Sequence, residues 1–502
     1  MRFLLLGLLT AALPISAQSQ TATTITLNPS SLGRTIPSTF SGISIETYSA
    51  LDLGTTKYPS TNGPANVPAD AWFMGGSSAN ASQKLFGTVL QTIGIKSLRF
   101  GGTTCEKPTY LVSGGGSNPN AIYPPLYDEE YVASFAQQYG MQLIWCIPSE
   151  GLYNVNTYES YIANAVAAQK SAGQNFQFVV EVGNEADNSG MSQSTYNSEF
   201  DAYLGAMRSD ISTSIQFEGA DGGGSFATGL MADPNYDSTN APWHGNIANI
   251  SRHTYISGES SQSSVDAAIN TMLAPQASTL QSNWSSFGPK AVSLGYNSRI
   301  SETNSFSGGG YNGASNAFAA ALWGLDFMEY YSHSTSLTGV NFHVGATGQF
   351  YSPFMPQNLS SSYTLQGLGY GMLAFHTDGA GQVVPTTVSG NGSSLNLTAY
   401  GTYLSDGSET AIVINKTSVI AGTNTNVTLT VEPGKTYSTA AVYYLQAPNN
   451  DPAQTSGMTF GGTEMSSTAG TWSGSPTLIN ANSNGTFTIP LSYSEAAVVH
   501  MT

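Results

Sequence analysis

Two glutamates stand where acidic side chains are able to act as a pair. The stretch 178–185 (FVVEVGNE) ends in Gly183-Asn184-Glu185, and the stretch 299–304 (RISETN) delivers Glu302. A protonated carboxyl group and an ionised one, facing each other across a cleft, suffice to cleave an acetal. The acid protonates the leaving oxygen, and the carboxylate attacks the carbon. That division of labour predicts a raised pKa for the acid and an ionised partner opposite it. Retention of configuration further requires the two carboxyl groups to lie about 5–5.5 Å apart.

The elements that must position them are legible in the hydrophobic pattern. Eight short apolar or alternating runs recur at 42–46, 96–101, 141–147, 176–185, 214–220, 250–255, 298–304 and 338–344. Stretches of helical character separate most of them (82–93, 128–139, 158–172, 194–209, 263–278 and 314–331). Strand–helix alternation predicts parallel βαβ units, and eight such units predict a closed (β/α)8 TIM barrel of class α/β over 37–362. Active sites of this barrel lie at the C-terminal ends of its strands. Glu185 ends the fourth strand and Glu302 lies on the seventh, on opposite sides of the barrel mouth. From 363 to 502 the pattern changes to short β runs punctuated by Gly, Pro and Asn, which predicts a C-terminal antiparallel β-sandwich domain without a long helix. Residues 18–36 include a strand-like run, 23–27, expected to pair with that domain.

Composition narrows the function classes. The 14 Lys and Arg against 31 Asp and Glu give a net charge of −17, and the scattered basic residues exclude a nucleic-acid-binding reading. The apolar run 3–13 behind Arg2, ending in Ser16-Ala17, reads as a signal peptide (1–17) and is too short to span a membrane. A secreted, extracellular protein is expected, periplasmic in a Gram-negative source, with no membrane partner and a monomeric state. Two cysteines, Cys105 and Cys146, leave a single disulfide and two buried thiols equally open. No His or Cys cluster has metal-ligand spacing, so neither metal nor cofactor is expected. The run Gly222–Gly224 lacks a following Lys-Ser/Thr and reads as a flexible loop, not a nucleotide cradle. Glu181 is expected in a structural ion pair with Arg99 or Arg252. Arg99 divides evenly between that pairing and support of Glu302. His253 and His343, at strand ends, read as structural histidines before substrate contacts, and Glu46 as either a sugar ligand or a strand cap.

The Asn-Glu pair ending strand four and the Glu of strand seven resemble the large clan of retaining glycoside hydrolases built on this barrel. The resemblance implies Glu185 as acid/base, Glu302 as nucleophile, Asn184 as donor to the sugar 2-hydroxyl, and Tyr255, in His253-Thr254-Tyr255, as the residue orienting Glu302. Residues 40–46 (FSGISIE), 98–102 (LRFGG), 183–185, 301–305 (SETNS) and the C-terminal β module are similar to glycoside hydrolase family 79, the β-glucuronidase and heparanase-like family. In that family a glycine-rich loop after the nucleophile holds the substrate carboxylate, which implies a role for Gly308 and Gly309 through their N–H groups. The family usually has Tyr before the glycines where this chain has Ser307, leaving Ser307 or Tyr311 as the remaining donors. The resulting expectation is exo-hydrolysis of a β-linked glucuronic acid, with or without a 4-O-methyl group, by double displacement. A sulfated polyanion would need a basic groove that this chain lacks. The rivals are a retaining β-glycosidase of the same clan acting on a glucoside or xyloside, and a non-catalytic carbohydrate-binding protein.

Overall fold

The computed structural model describes residues 21–47, 80–106, 126–149, 154–171, 178–345, 349–357, 362–378 and 380–502. Residues 1–17, read above as a signal peptide, lie outside them. After an N-terminal strand β1 (Thr21–Leu27), eight parallel strands close into a barrel. They are β2 (Ser41–Glu46), β3 (Ser97–Gly101), β4 (Gln142–Ile147), β5 (Phe178–Val182), β6 (Gln216–Gly219), β7 (Ile247–Gly258), β8 (Ser298–Ser307) and β9 (Leu337–Val344). The strands are buried on both faces, as parallel strands covered by helices must be, and so read as nearly unbroken apolar runs. Leu143, Trp145, Val180, Phe217, Ile300 and Phe342 belong to one continuous core.

Strands β7 and β8 are the longest of the barrel, and their pairing continues to Gly258 opposite Ser307. A register shift between Arg252 and His253 sets His253 opposite Glu302. With side chains alternating along a strand, His253 and Tyr255 share one face, while Thr254 turns to Asn283.

The helix Phe318–Ser334 is buried along most of its length. A second helix, Gly367–Asp378, packs along it, contrary to the expectation of no long helix in the C-terminal region. The reason lies in its glycines. A Cβ at Gly367 would sit 1.9 Å from the Ala317 carbonyl oxygen, and one at Gly371 2.5 Å from that of Ala321. Residues that normally break helices here allow two helix backbones to touch.

Beyond it the chain forms two stacked sheets. One orders β13 (Thr386–Gly390), β1, β16 (Val427–Glu432) and β20 (Phe487–Leu491). The other orders β12 (Gln382–Val384), β14 (Leu397–Tyr403), β15 (Glu409–Asn415), β21 (Glu495–Met501), β17 (Thr439–Gln446) and β18 (Thr459–Phe460). All these pairs are antiparallel except β1 with β16. Ile25, Val413, Leu429, Val442, Phe487 and Val499 fill the space between the sheets. A buried ion pair ties this domain to the barrel. Lys416 Nζ lies 2.5 Å from Asp326 of the helix Phe318–Ser334, and Asp326 also accepts from Thr398 Oγ1 and Tyr400 Oη.

Candidate active site

Glu185 and Glu302 meet at the mouth of the barrel. One oxygen of each and a ring nitrogen of His253 all lie within 4.8 Å of one another. That approach is nearer to the about 5–5.5 Å between the carboxyl groups of retaining pairs than to the about 6.5–9.5 Å of inverting ones.

Each carboxylate has a distinct environment. Glu302 Oε1 accepts from Tyr255 Oη at 2.7 Å, and its Oε2 accepts from Arg99 Nη1 at 2.7 Å, with His343 Nδ1 at 3.4 Å. Burial alone would raise the Glu302 pKa. The charges of His343, His253 and Arg99, together with the Tyr255 hydrogen bond, overcome it and hold the group far below the ordinary carboxylate range. Glu302 is therefore an ionised carboxylate. Burial would likewise lower the Arg99 pKa, but Glu181, Glu302 and Asp221 keep the guanidinium charged.

Glu185 sits on a turn in which Gly183 (φ 71°) and Glu185 itself (φ 52°) adopt left-handed backbone. The turn is held by Asn184 N–H donating to Glu106 Oε1 and Glu185 N–H to the Asp221 carbonyl, at 2.9 and 2.8 Å. Such a conformation costs a non-glycine residue on the order of 1–2 kcal/mol. Here it aims the side chain into the cleft, where Oε1 faces His253 Nδ1 at 3.0 Å and Oε2 accepts from Asn188. The raised pKa expected of an acid is corrected for the free protein. The hydrogen bond from His253 outweighs burial and lowers it. A negative sugar or an esterified Glu302 would alter that balance during turnover.

Arg99 resolves its two sequence readings by doing both. Its Nε and Nη2 bind the two oxygens of Glu181 at 2.5 Å each, while Nη1 reaches Glu302 and Ser44. Nη2 also donates to Asn184 Oδ1 at 2.9 Å, which fixes the amide and leaves its NH2 as the free donor. Glu46 is held by Thr104, from both N–H and Oγ1, and lies 3.6 Å from His343 Nε2. Glu46 thus belongs to the cleft wall. His253 and His343 pair with the two carboxylates, His253 with Glu185 and His343 with Glu302.

The glycine run occupies the outer lip. Gly308, Gly309 and Gly310 all have left-handed φ (90°, 104° and 82°), and the Gly309 carbonyl accepts from Tyr351 N–H. Gly309 and Gly310 are buried, and their N–H groups take no part in the backbone hydrogen bonding among the described residues. Tyr351 links this lip to the carboxylate pair, its ring 6.4 Å from Tyr255 and 6.0 Å from His343, centroid to centroid. Ser307 ends β8 beside Gly258. The Tyr311 ring packs against the barrel core and its N–H donates to Ser315. Glu259 borders Gly308, its Oε1 3.3 Å from where a Cβ would stand.

Several partners were not found from sequence: Ser44, Thr104, Glu106, Asp221 and Tyr351. Glu106 and Thr104 lie in a 3-10 turn, Thr103–Glu106, which the Cys105–Cys146 disulfide fastens to β4. The bond settles the open choice between disulfide and thiols. Gly222 and Gly223 are not a flexible loop. A Cβ on either would meet Asp187 at 2.4 and 2.7 Å, and Gly223 N–H donates to Asp187 Oδ2. Among the described residues, a second group of closely spaced acids, Glu181, Glu218 and Asp221, lies below the pair. No helix among them is long and apolar enough to cross a membrane.

Comparison with known proteins agrees with this architecture. Residues 399–498 match the profile of the glycosyl hydrolase family 79 C-terminal beta domain. No curated protein sequence matches the chain. Among solved structures, a 4-O-α-L-rhamnosyl-β-D-glucuronidase from Fusarium oxysporum superposes with a TM-score of 0.66 at 17% identity, covering 94% of this chain and 99% of that one. A family 51 α-L-arabinofuranosidase from Bifidobacterium longum gives 0.65 at 13% identity, over 96% and 100%. A family 30 xylanase from Talaromyces cellulolyticus gives 0.56 at 15%, over 95% and 100%. The chain thus joins a barrel of the fold seen in these glycoside hydrolases to a C-terminal domain that matches the β domain of family 79.

Proposed function

We propose that this protein is a retaining exo-β-glucuronidase in which Glu302 is the nucleophile and Glu185 the acid/base. The observation that carries the reading is the approach of the two carboxylates to within 4.8 Å, with Glu302 alone bound by Arg99 and Tyr255. In the first step Glu302 attacks the anomeric carbon while Glu185 protonates the departing oxygen. In the second, with the Glu302 charge consumed in the ester, Glu185 takes a proton from water, which displaces the sugar from Glu302. Asn184, fixed by Arg99, presents its NH2 toward the 2-hydroxyl. Glu46 and His343 form the wall beside it.

The glucuronide preference draws on the family 79 domain and on the similar Fusarium enzyme, a β-glucuronidase. The N–H groups of Gly309 and Gly310 offer the sugar carboxylate a set of neutral donors. A neutral β-glycoside is the second reading, favoured by Ser307 and by Glu259, whose charge next to Gly308 opposes an incoming anion. Hydrolysis of nitrophenyl β-glucuronide against β-glucoside and β-xyloside separates the two. The first product anomer, followed by NMR, tests retention. Glu302→Gln should abolish turnover of a natural glycoside, and Glu185→Gln should lower it by orders of magnitude. Full turnover by both variants refutes the assignment.

A further inference from the structure

Beneath the catalytic pair the barrel interior holds Glu181 on β5, Glu218 on β6 and Asp221 just after it. All three are fully buried, with oxygens within 4.8 Å of one another. Glu181 is satisfied, since Arg99 binds both its oxygens. Glu218 Oε2 accepts from Asn249 at 2.6 Å and Asp221 Oδ1 from Ser301 at 2.5 Å. Glu218 Oε1 and Asp221 Oδ2 are buried without a hydrogen-bond partner at normal geometry among the described residues, the Ser251 hydroxyl lying beside Asp221. A buried anionic oxygen without a donor is strongly disfavoured, and two buried carboxylates that approach within 4.8 Å repel each other as well. One proton held by the pair would remove one buried charge and with it that repulsion.

The charges facing this cluster give the same balance. Arg99 from β3 is already shared between Glu181 and Glu302. Arg299 from β8 donates to Asn341 and has Glu218 in its field. His253 faces it from β7, and the Tyr196 hydroxyl comes from the helix Gln193–Asp210, where it donates to the Val182 carbonyl. Two guanidinium groups thus stand against the carboxylates of Glu181, Glu218, Asp221 and Glu302.

A separate observation points to the same place. His253 Nε2 is buried, has no hydrogen-bond partner among the described residues, and lies 3.9 Å from Asp221 Oδ1, while Nδ1 of the same ring faces Glu185. We infer that Glu218 and Asp221 share one proton, forming a carboxyl–carboxylate pair whose remaining negative charge reaches Glu185 through the His253 ring. Asp221 is then a positioning residue, a role that rests on Glu185 being the acid/base. Burial, reinforced by Asp221, pushes the Glu218 pKa up to about 8.

Infrared spectroscopy of the whole protein at neutral pH should show the C=O stretch of a protonated, buried carboxyl, sensitive to D2O and missing in folded Glu218→Gln. The stability sign is fixed by linkage. A carboxyl with a folded pKa above its unfolded value contributes stability that is complete below the unfolded value and lost as pH rises through the folded one. The thermal midpoint of the wild type should therefore fall from mildly acidic pH toward pH 8, with a slope that flattens in Glu218→Gln. In Asp221→Asn the charge behind His253 is gone, its hold on Glu185 weakens, and the alkaline limb of kcat/KM should move up by about half a pH unit or more. A wild type with no protonated-carboxyl band, or one carrying a stoichiometric metal ion in this cluster by elemental analysis, overturns the shared proton. An unmoved alkaline limb in folded Asp221→Asn overturns the coupling. The infrared and thermal readouts need no turnover, so they stand or fall apart from the acid/base assignment.

Discussion

Tyr255→Phe offers the sharpest test of how Glu302 is held. The substitution keeps the ring and removes one hydroxyl, so packing is conserved. Among the described residues Tyr255 alone donates to Glu302 Oε1, at 2.7 Å, whereas Arg99 and His343 both address Oε2. Nothing in place can take over the lost contact. A hydrogen bond to a charged group is worth about 1.5–3 kcal/mol. At about 1.4 kcal/mol per decade, kcat/KM should fall roughly 10- to 150-fold. The same loss raises the Glu302 pKa by about one to two units. Because the nucleophile must be ionised, the acidic limb of the kcat/KM profile moves upward by that amount. The assay is steady-state hydrolysis of an aryl β-glucuronide across the acidic range, with the thermal midpoint as a control for folding. A loss of less than about threefold together with an unmoved acidic limb would show that Oε1 does not depend on this donor.

Three other outcomes are expected. Glu185→Gln should lower kcat/KM by about 10²–10⁴ for substrates with poor leaving groups. With an activated nitrophenyl substrate it should accumulate a glycosyl-enzyme at Glu302, visible by intact mass. Lys416→Ala strips the cation from buried Asp326, and although Thr398 and Tyr400 still donate, a loss of about 3 kcal/mol is expected in urea denaturation. A change under 0.5 kcal/mol, the ordinary range for a surface position, would mean the pair is not buried in solution. Replacing Cys105 and Cys146 with Ser opens a loop with a sequence separation of 41 and should cost about 2–4 kcal/mol. Activity should fall at temperatures where the fold persists, because the freed turn carries Thr104 and Glu106. Equal loss of activity and fold would contradict that order.

What the sequence revealed and what it concealed follow from the range of the interactions involved. Glu185 and Glu302 were visible because a strand end is a local property, and eight strand ends in order fix who faces whom. The barrel strands were visible because burial on both faces leaves an unbroken apolar signature. The helix Gly367–Asp378 was concealed because its glycines answer to the carbonyls of Ala317 and Ala321, which lie 50 residues upstream. Asp221 was concealed for a related reason. Its carbonyl accepts from Glu185 N–H, its carboxylate accepts from Ser301, and it stands behind His253, so three other strands define it and no periodicity marks it.

The histidines carry the same lesson into chemistry. His253 and His343 alternate with outward residues as any inward side chain does, and only closure of the barrel sets one, from β7, beside Glu185 and the other, from β9, beside Glu302. Each catalytic carboxylate therefore has its own imidazole, and the two are not equivalent. His343 adds to Arg99 and Tyr255 in favour of an ionised Glu302, with no opposing need. His253 stabilises the ionised form of a residue that must also deliver a proton. An acid held in this way is poised for the second half of a double displacement, when it acts as base, and needs the approach of substrate to take up its proton for the first. Under the proposed assignment the free protein holds Glu185 in the form that the second step uses, and binding of the sugar must reset it before the glycosidic bond can break.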